Sequence, residues 1–221
     1  MSRRFATVRR IGEEKVIAIV RGDAMKDLLA LSDGLCEVGV RILEVTFTTP
    51  NALNEIEKLR LVRPSLTLGM GSVLNAGMVR DAAAAGADFV VSPIYEPAMI
   101  EAAHEQDLAV IPGAFTPTEA QAAFEAGADM VKIFPASVLG PAFVSSLLAP
   151  LPHLKLVPTG GVNLDNVKEF LDAGAFAVCL GKHLVDRVSL RTGEYGDVLA
   201  RARKLVAILR THREGDRNDV N

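Results

Sequence analysis

Four stretches of the sequence resemble one another, and their spacing constrains the fold more than any other feature. Each stretch ends a helical pattern with a glycine and then enters a short apolar run: "CEVGVRILEVTF", "AAAGADFVVSP", "FEAGADMVKIFP" and "LDAGAFAVCLG". The glycines Gly39, Gly86, Gly127 and Gly174 are 47, 41 and 47 residues apart. A glycine just past a helix is a usual C-terminal stop because it tolerates the left-handed conformation. Each stretch is therefore interpreted as the junction between a helix and a buried strand.

Four further apolar runs alternate with these junctions, namely "KVIAIVRG", "LTLGMG", "LAVIPG" and "LKLVPTGG". The segments between the runs have helix start signals. In "TPTEA", Thr116 is a helix cap, Pro117 suits the first turn and Glu119 completes a capping box. Eight alternating strand–helix units predict an α/β fold, a closed parallel (β/α)8 TIM barrel. The alternative is an open doubly wound sheet, although no G-x-G-x-x-G follows the first strand.

The whole chain, residues 1–221, is predicted to form one barrel domain, as is common for α/β barrels of this length. Residues Arg3 to Glu14 are expected to form an extra N-terminal helix that closes the bottom of the barrel. The polar run "HREGDRNDVN", at about residues 212–221, is expected to be a disordered tail.

Composition excludes several classes of partner. Hydrophobic residues make up 49% of the chain, which is enough for a large core. The net charge is −3 without a basic patch, so nucleic acid is not an expected partner. No run of 18 apolar residues is present, and the N-terminus has no secretory pattern, so no membrane association is expected. Cys36 and Cys179 lie far apart in apolar surroundings, which favours reduced thiols and a cytoplasmic location.

One lysine and one glutamate are predicted to face the interior of the barrel. Side chains alternate between the two faces of a strand, so in "ILEVTF" Glu44 lies on the face opposite Leu43 and Val45. The same alternation in "VKIFP" directs Lys132 into the barrel, with Val131 and Ile133 facing the helices. Active sites of such barrels lie at the carboxyl ends of the strands. The pair could be a buried structural salt bridge. The chemical interpretation is that a buried lysine, whose charged form is disfavoured, attacks a ketone to form an imine while the carboxylate moves protons.

Two other classes of function are weighed against the Schiff base. A metal-dependent enzyme would need several ligands at strand ends, but His183 alone among the histidines is expected near the mouth, and no H-E-x-x-H is present. We therefore expect no metal and no cofactor. A non-catalytic phosphate-binding barrel would retain the turn "PTGG" but would have no use for an inward Lys132 and Glu44.

An ordered set of motifs over about residues 14–185 carries a family resemblance: "IAIVRG", "GVRILEVTFTTP", "GMGSVLN", "ADFVVSP", "VIPGAFTPTEA", "VKIFPAS", "GPAFVSSL" and "VPTGGVNLDN". The chain resembles the 2-keto-3-deoxy-6-phosphogluconate (KDPG) and 4-hydroxy-2-oxoglutarate (KHG) aldolases. The resemblance implies a class I aldolase, an aldehyde-lyase without a metal, commonly a homotrimer. Its expected partner is a phosphorylated keto acid.

The resemblance and the strand ends together assign candidate site residues. Lys132 would be the Schiff-base nucleophile and Glu44 the general acid/base, acting partly through water. The candidate residues for the carboxylate and pyruvate are Arg21, Thr46, Ser72, Pro93, Phe134 and Thr159. The candidate residues for the phosphate are Gly160, Gly161, Gly181 and Lys182. The helix after "PTGG" is expected to begin at Asn163 and to contribute to the anion site.

Three positions depart from the family pattern. Ser72 stands where threonine is usual, but the hydroxyl is retained. Thr48 stands where many members have arginine, and Lys182 replaces a serine that binds phosphate. The expected reaction is reversible cleavage of KDPG to pyruvate and glyceraldehyde 3-phosphate, as in the Entner–Doudoroff pathway, with cleavage of KHG to pyruvate and glyoxylate as a second reaction. The 6-phosphogalactonate epimer remains an alternative substrate.

Overall fold

A computed structural model describes residues 2–218 of the chain. Within them the strands are β1 (Val16–Val20), β2 (Ile42–Thr46), β3 (Thr67–Gly71), β4 (Phe89–Val91), β5 (Ala109–Ile111), β6 (Gly113–Ala114), β7 (Val131–Ile133), β8 (Leu156–Pro158) and β9 (Val178–Leu180). The helices are α1 (Arg3–Glu14), α2 (Leu28–Val38), α3 (Ala52–Val62), α4 (Ala76–Ala84), α5 (Pro97–Glu105), α6 (Pro117–Glu125), α7 (Ala136–Leu148), α8 (Val167–Asp172), α9 (Arg187–Thr192) and α10 (Gly196–Asn218). Strands and helices alternate through most of the chain.

The strands form a curled parallel sheet in two pieces. One piece has the order β5-β4-β3-β2-β1-β9 and the other β6-β7-β8, and every strand pair is parallel. All eight predicted strands are present, but the fifth is divided into β5 and β6 at Pro112, which has no N–H to donate. A parallel bridge between Thr159 and Cys179 links the end of β8 to β9.

Two buried clusters lie on opposite faces of the sheet. One contains inward residues such as Ile19, Val157 and Cys179, together with Val8 and Ile11 of α1. The other cluster, which is the larger, lies between the sheet and the surrounding helices. The predicted helix α1 therefore has the expected bounds and packs its apolar face against the inward side of the sheet.

The four repeat glycines all have the left-handed backbone that the sequence predicted. Gly39, Gly86, Gly127 and Gly174 have φ values of 104°, 89°, 96° and 97°, each one or two residues after the last residue of a helix. A residue with a side chain would be strained at these positions. The glycines thus end each helix so that the chain can turn into the next strand.

The end of the chain differs from its prediction. Helix α10 continues to Asn218, so most of the run from 212 that was expected to be a disordered tail is helical, and 219–221 lie outside the described residues. His212 is buried and its Nδ1 lies 3.2 Å from the Asp172 carboxylate, which attaches this helix to α8. Among the helices described, none is long and apolar enough to cross a membrane.

Candidate active site

Lys132 occupies the middle of β7, and its side chain is 6% exposed. Its neighbours Val131 and Ile133 belong to the cluster between sheet and helices, so Lys132 has the opposite, inward orientation that alternation predicts. The ammonium nitrogen Nζ lies 4.9 Å from the centre of the Phe134 ring. A lysine so placed is surrounded by the protein interior, on the inward face of the sheet.

Glu44 lies on β2 in register with Ile19 and Gly69, and it is 1% exposed. Its carboxylate fills the space beside Gly71: a Cβ on that glycine would lie 1.9 Å from Glu44 Oε1. The other oxygen, Oε2, is buried and has no hydrogen-bond partner among the described residues. A buried carboxylate oxygen is costly to leave without a partner, so Oε2 is suited to accept a hydrogen bond from water or substrate.

Three charged side chains act on one another at this position. Burial raises the pKa of the Glu44 carboxyl, and the positive charges of Lys132 and Arg21 oppose that rise without cancelling it. Burial also raises the pKa of the nearby Cys179 thiol to about 12, and the Glu44 charge adds to this rise. The structure therefore brings Lys132, Glu44 and Arg21 within electrostatic range of one another, with a neutral thiol beside them.

Hydroxyl groups line the carboxyl end of β2. The Oγ1 of Thr46 lies 2.9 Å from that of Thr48 and 3.0 Å from that of Thr49. Thr46 and Thr49 are buried, whereas Thr48, at the family's arginine position, is exposed, as is Arg21 at the end of β1. Thr49 was missed by the sequence analysis, although a hydroxyl three residues after Thr46 in the turn after a strand was a usable signal.

Ser72 and Pro93 lie at the ends of the neighbouring strands β3 and β4, and both are half-buried. Ser72 has a φ of 59°, in the left-handed region, so the chain turns sharply directly after Gly71. The carbonyl of Pro93 lies against Gly113, where a Cβ would be 2.4 Å from its carbon and oxygen. Gly113 is in turn the register neighbour of Lys132, so the Pro93 turn is close to the lysine strand.

The turn after β8 packs against the beginning of α7. Thr159 is buried, and its hydroxyl donates to the Val157 carbonyl at 3.2 Å. Gly160 has a φ of 84°, and a Cβ there would lie 3.2 Å from the Phe134 ring. Gly161 has a φ of 91°, and a Cβ there would lie 2.4 Å from the Cβ of Ser137. Both glycines are therefore needed for this close approach.

The expected helix start after this turn is wrong. Asn163 lies just before a turn at residues 164–166, and the helix α8 runs from Val167 to Asp172, only six residues. The side-chain amide of Asn166 donates to the Gly161 carbonyl at 3.1 Å, so the turn is held by an asparagine side chain. The helix that was assigned to the anion site therefore begins four residues later than expected, at Val167.

The turn after β9 contains the remaining candidates. Gly181 is half-buried, and its carbonyl accepts hydrogen bonds from the Leu184 and Val185 N–H groups at 2.8 and 2.9 Å. Lys182 and His183 are exposed. Lys182 is therefore on the rim, whereas Lys132 and Glu44 are inside.

Other features of the molecule lie away from this site. In the part of the chain that the structure describes, no group of three His, Cys, Asp or Glu side chains is arranged to hold a metal ion. Two concavities of about 160 and 190 Å³ are lined by α1 residues, including Phe5 and Thr7 respectively, and neither contains Lys132 or Glu44. The inward pair of Lys132 and Glu44 remains the better candidate because it combines burial with complementary chemistry.

Comparisons with known proteins agree on one family. The family model for "KDPG and KHG aldolase" matches residues 8–201. A "2-dehydro-3-deoxy-phosphogluconate aldolase" of Treponema pallidum is 34% identical over 196 residues, covering 88% of this chain and 93% of the relative. A "probable 2-dehydro-3-deoxy-6-phosphogalactonate aldolase" of Rhizobium meliloti is 36% identical over 174 residues, covering 78% and 82%.

A solved structure is similar in fold as well as in sequence. The KDPG aldolase of Legionella pneumophila, with pyruvate captured as a covalent carbinolamine intermediate, superposes with a TM-score of 0.83. It is 27% identical, and the match covers 89% of this chain and 96% of that chain.

Proposed function

The chain belongs to the KDPG and KHG aldolase family, and from this premise we propose that it is a class I aldolase that cleaves 2-keto-3-deoxy-6-phosphogluconate reversibly to pyruvate and glyceraldehyde 3-phosphate. The observation that carries the proposal is the buried, inward-facing pair of Lys132 and Glu44 on β7 and β2. Cleavage of 4-hydroxy-2-oxoglutarate to pyruvate and glyoxylate is proposed as a second reaction, because it needs the same chemistry at the 2-oxo acid end.

The first half of the proposed reaction forms the covalent intermediate. The neutral amine of Lys132 attacks the C2 ketone and gives a carbinolamine, which takes a proton from the Glu44 carboxyl and loses water to become a protonated imine. The positive imine nitrogen then withdraws electrons from C3. Glu44, as a carboxylate acting through water, takes the proton of the C4 hydroxyl. The C3–C4 bond breaks, its electron pair forms an enamine, and C4 leaves as the aldehyde.

The second half returns the enzyme to its starting state. The enamine of pyruvate takes a proton at C3, for which protonated Glu44 is the donor. Water then hydrolyses the resulting imine, and the proton released returns to the Glu44 carboxylate. Pyruvate leaves and the Lys132 amine is restored. One carboxyl that first accepts and then donates a proton works best with a pKa near the working pH. The burial that raises the Glu44 pKa supports this double role.

The remaining candidates are proposed to hold the two ends of the substrate. Arg21, Thr46 and Ser72 would bind the carboxylate, with Thr159, Pro93 and Phe134 enclosing the pyruvate carbons. The phosphate would lie among Gly160, Gly161, Gly181 and Lys182. The proximity of the Phe134 ring to both Lys132 Nζ and Gly160 supports a single cavity that joins the two ends.

We also propose that the two pieces of sheet form one closed (β/α)8 barrel in a single domain. The bridge between Thr159 and Cys179 supports closure on one side, and the single residue Pro112 between β5 and β6 supports it on the other. A homotrimer in the cytoplasm is proposed from the family resemblance, and both cysteines are free.

The phosphogalactonate epimer is a second candidate substrate. The Rhizobium meliloti relative carries that name and is 36% identical to this chain. The two epimers differ at C4, the carbon whose hydroxyl loses the proton, so the same lysine and glutamate would serve either one.

Release of pyruvate, measured by a coupled dehydrogenase assay, tests the proposed function directly. We expect turnover of the phosphogluconate-derived acid, and the ratio of kcat/KM for the two epimers identifies the preferred substrate. Absence of pyruvate release from both epimers and from 4-hydroxy-2-oxoglutarate would contradict the proposal.

A further inference from the structure

Thr49 is a buried residue in the turn after β2, 2% exposed, and no step of the mechanism above uses it. Its hydroxyl contacts the ends of two different strands. We propose that Thr49 is a positioning residue: it is held by Thr46 and fixes the backbone on both sides of Arg21. In this way it directs the Arg21 guanidinium toward the carboxylate of a 2-oxo acid. This inference rests on the proposed function.

One set of Thr49 contacts lies on both sides of Arg21 in the chain. The Gly22 N–H donates to Thr49 Oγ1 at 3.4 Å, and the Thr49 hydroxyl reaches the Val20 carbonyl at 3.4 Å. Val20 and Gly22 are the residues directly before and after Arg21. Both distances are long for a hydrogen bond, so each contact is weak alone. Together they restrain the two peptide groups from which the Arg21 side chain projects.

The second contact set holds Thr49 itself. Its Oγ1 lies 3.0 Å from that of Thr46, and its N–H donates to the Thr46 carbonyl at 2.8 Å. Its carbonyl accepts from the Ala52 N–H, at the beginning of α3. Thr49 is therefore tied to β2 by side chain and backbone. A hydroxyl fixed in this way can transmit the position of β2 to the end of β1.

The opposite side of the Arg21 loop is held by another element. A Cβ on Gly22 would lie 3.0 Å from a methyl carbon of Leu190, and the Lys26 N–H donates to the Leu190 carbonyl at 2.8 Å. The loop is thus enclosed between α9 and Thr49. Removal of the Thr49 hydroxyl leaves the Leu190 contacts intact, so we expect a local displacement of Arg21 and an otherwise folded protein.

The position of Arg21 matters because its side chain is exposed and long, so its direction depends on the backbone that carries it. Its charge acts on Glu44 together with that of Lys132. A displaced guanidinium should weaken the binding of the substrate carboxylate while leaving bond cleavage at C3–C4 nearly unaffected. The expected signature is a change in KM without a change in kcat.

The test uses Thr49→Val, which keeps the branched shape and removes the hydroxyl. We expect the KM for the keto acid, and the pyruvate concentration for half-maximal borohydride trapping, to rise about 3- to 10-fold, the effect of losing weak hydrogen bonds. The kcat should stay within about twofold, and Thr49→Ser should restore the wild-type KM. The matched control is Thr7→Val, which removes a buried threonine hydroxyl of α1.

A double-variant cycle distinguishes positioning from a general structural role. With Arg21 replaced by Met, the further change Thr49→Val should raise KM by less than half of its effect alone, because Thr49 acts through Arg21. An unchanged KM in Thr49→Val, or an undiminished effect in the Arg21→Met background, would overturn the inference. If Thr49→Val does not fold, Thr49→Ala gives the same readouts. Absence of trapping in the wild-type protein would instead contradict the proposed function.

Discussion

The two ends of the candidate site differ in burial. At the pyruvate end, Lys132 and Glu44 are 6% and 1% exposed, and Gly71 leaves space for the Glu44 carboxylate. At the phosphate end, Lys182 is exposed on a turn and the adjoining α8 has only six residues. Burying a charged group costs free energy, and such groups are concentrated at functional sites. Exposed charges cost little, so they are free to change with the substrate.

This difference indicates which part of the function is fixed by packing. In the proposed mechanism, the bond-breaking chemistry depends on Lys132 and Glu44, whose positions are set by neighbouring strands. Recognition of the distal group depends on rim residues, and it is there that Lys182 departs from the family pattern. The expected effects of substitutions should therefore decrease from the interior to the rim.

The largest effect is expected for Lys132→Met, because the change removes the amine that is proposed to form the imine. Turnover should fall to the uncatalysed rate, while circular dichroism and the melting temperature show a folded protein. The long apolar methionine side chain suits the buried site, so loss of folding is not expected. Retention of measurable aldol cleavage in this variant would show that the buried pair is not the reacting pair.

The next effect is expected for Glu44→Gln, which should reduce kcat by about 10²–10⁴-fold, the usual contribution of a positioned acid/base. In the wild type, activity should fall as the pH is lowered through the Glu44 pKa, which burial raises above the ordinary value of 4.5. The variant should lack this acidic limb. If activity falls at the same acidic pH in both proteins, the titration belongs to a group other than Glu44.

Glu44→Gln also predicts a change in stability with a defined sign. A carboxyl with a raised pKa favours the folded state when protonated, and that contribution is lost as the pH rises through the folded-state pKa. Above that pKa, the variant should therefore be more stable than the wild type, and the difference should shrink as the pH is lowered. Thermal melts at several pH values measure this difference, and a pH-independent difference would contradict the assigned burial cost.

A smaller effect is expected for Gly71→Ala, because the new Cβ would occupy the position of the Glu44 carboxylate. We expect kcat to fall about 10- to 100-fold through misplacement of the acid/base group, while borohydride still traps pyruvate on Lys132. Gly196→Ala is the matched control, since a Cβ there meets nothing within 4 Å. Equal activity in both variants would show that the Gly71 space is not needed.

The smallest effect is expected at the rim, for Lys182→Ala. The KM for the phosphorylated substrate should rise about two- to fivefold, as for other exposed charge pairs, whereas pyruvate trapping should be unaffected. Lys204→Ala removes an exposed lysine of α10 and serves as the control. A loss in pyruvate trapping for Lys182→Ala would remove the proposed separation between the two ends.

Much of the fold could be predicted from local signals. The repeat glycines marked helix ends, alternation gave the inward face of β2 and β7, and the bounds of α1 were correct. The division of the fifth strand at Pro112 and the late start of α8 at Val167 were missed. The division at Pro112 has a local cause, since proline has no N–H to donate. The late start of α8 depends on side-chain contacts in the preceding turn, such as the Asn166 amide that donates to the Gly161 carbonyl.

The inward positions of the two candidate residues were easier to predict than the contacts that hold them in place. Lys132 and Glu44 were identified because a charge in an apolar strand is unusual. The space at Gly71 and the Thr49 bridge to Val20 and Gly22 involve pairs of residues that are distant in sequence. Such contacts depend on strand register across the sheet, which a single sequence does not supply.

The most direct measurement is borohydride reduction of the protein in the presence of pyruvate, followed by intact and peptide mass spectrometry. We expect one stable adduct per chain, located on the peptide that contains Lys132 and absent from Lys132→Met. Folded wild-type protein that gives no adduct, or an adduct on another lysine, would contradict the central claim that Lys132 is the Schiff-base nucleophile.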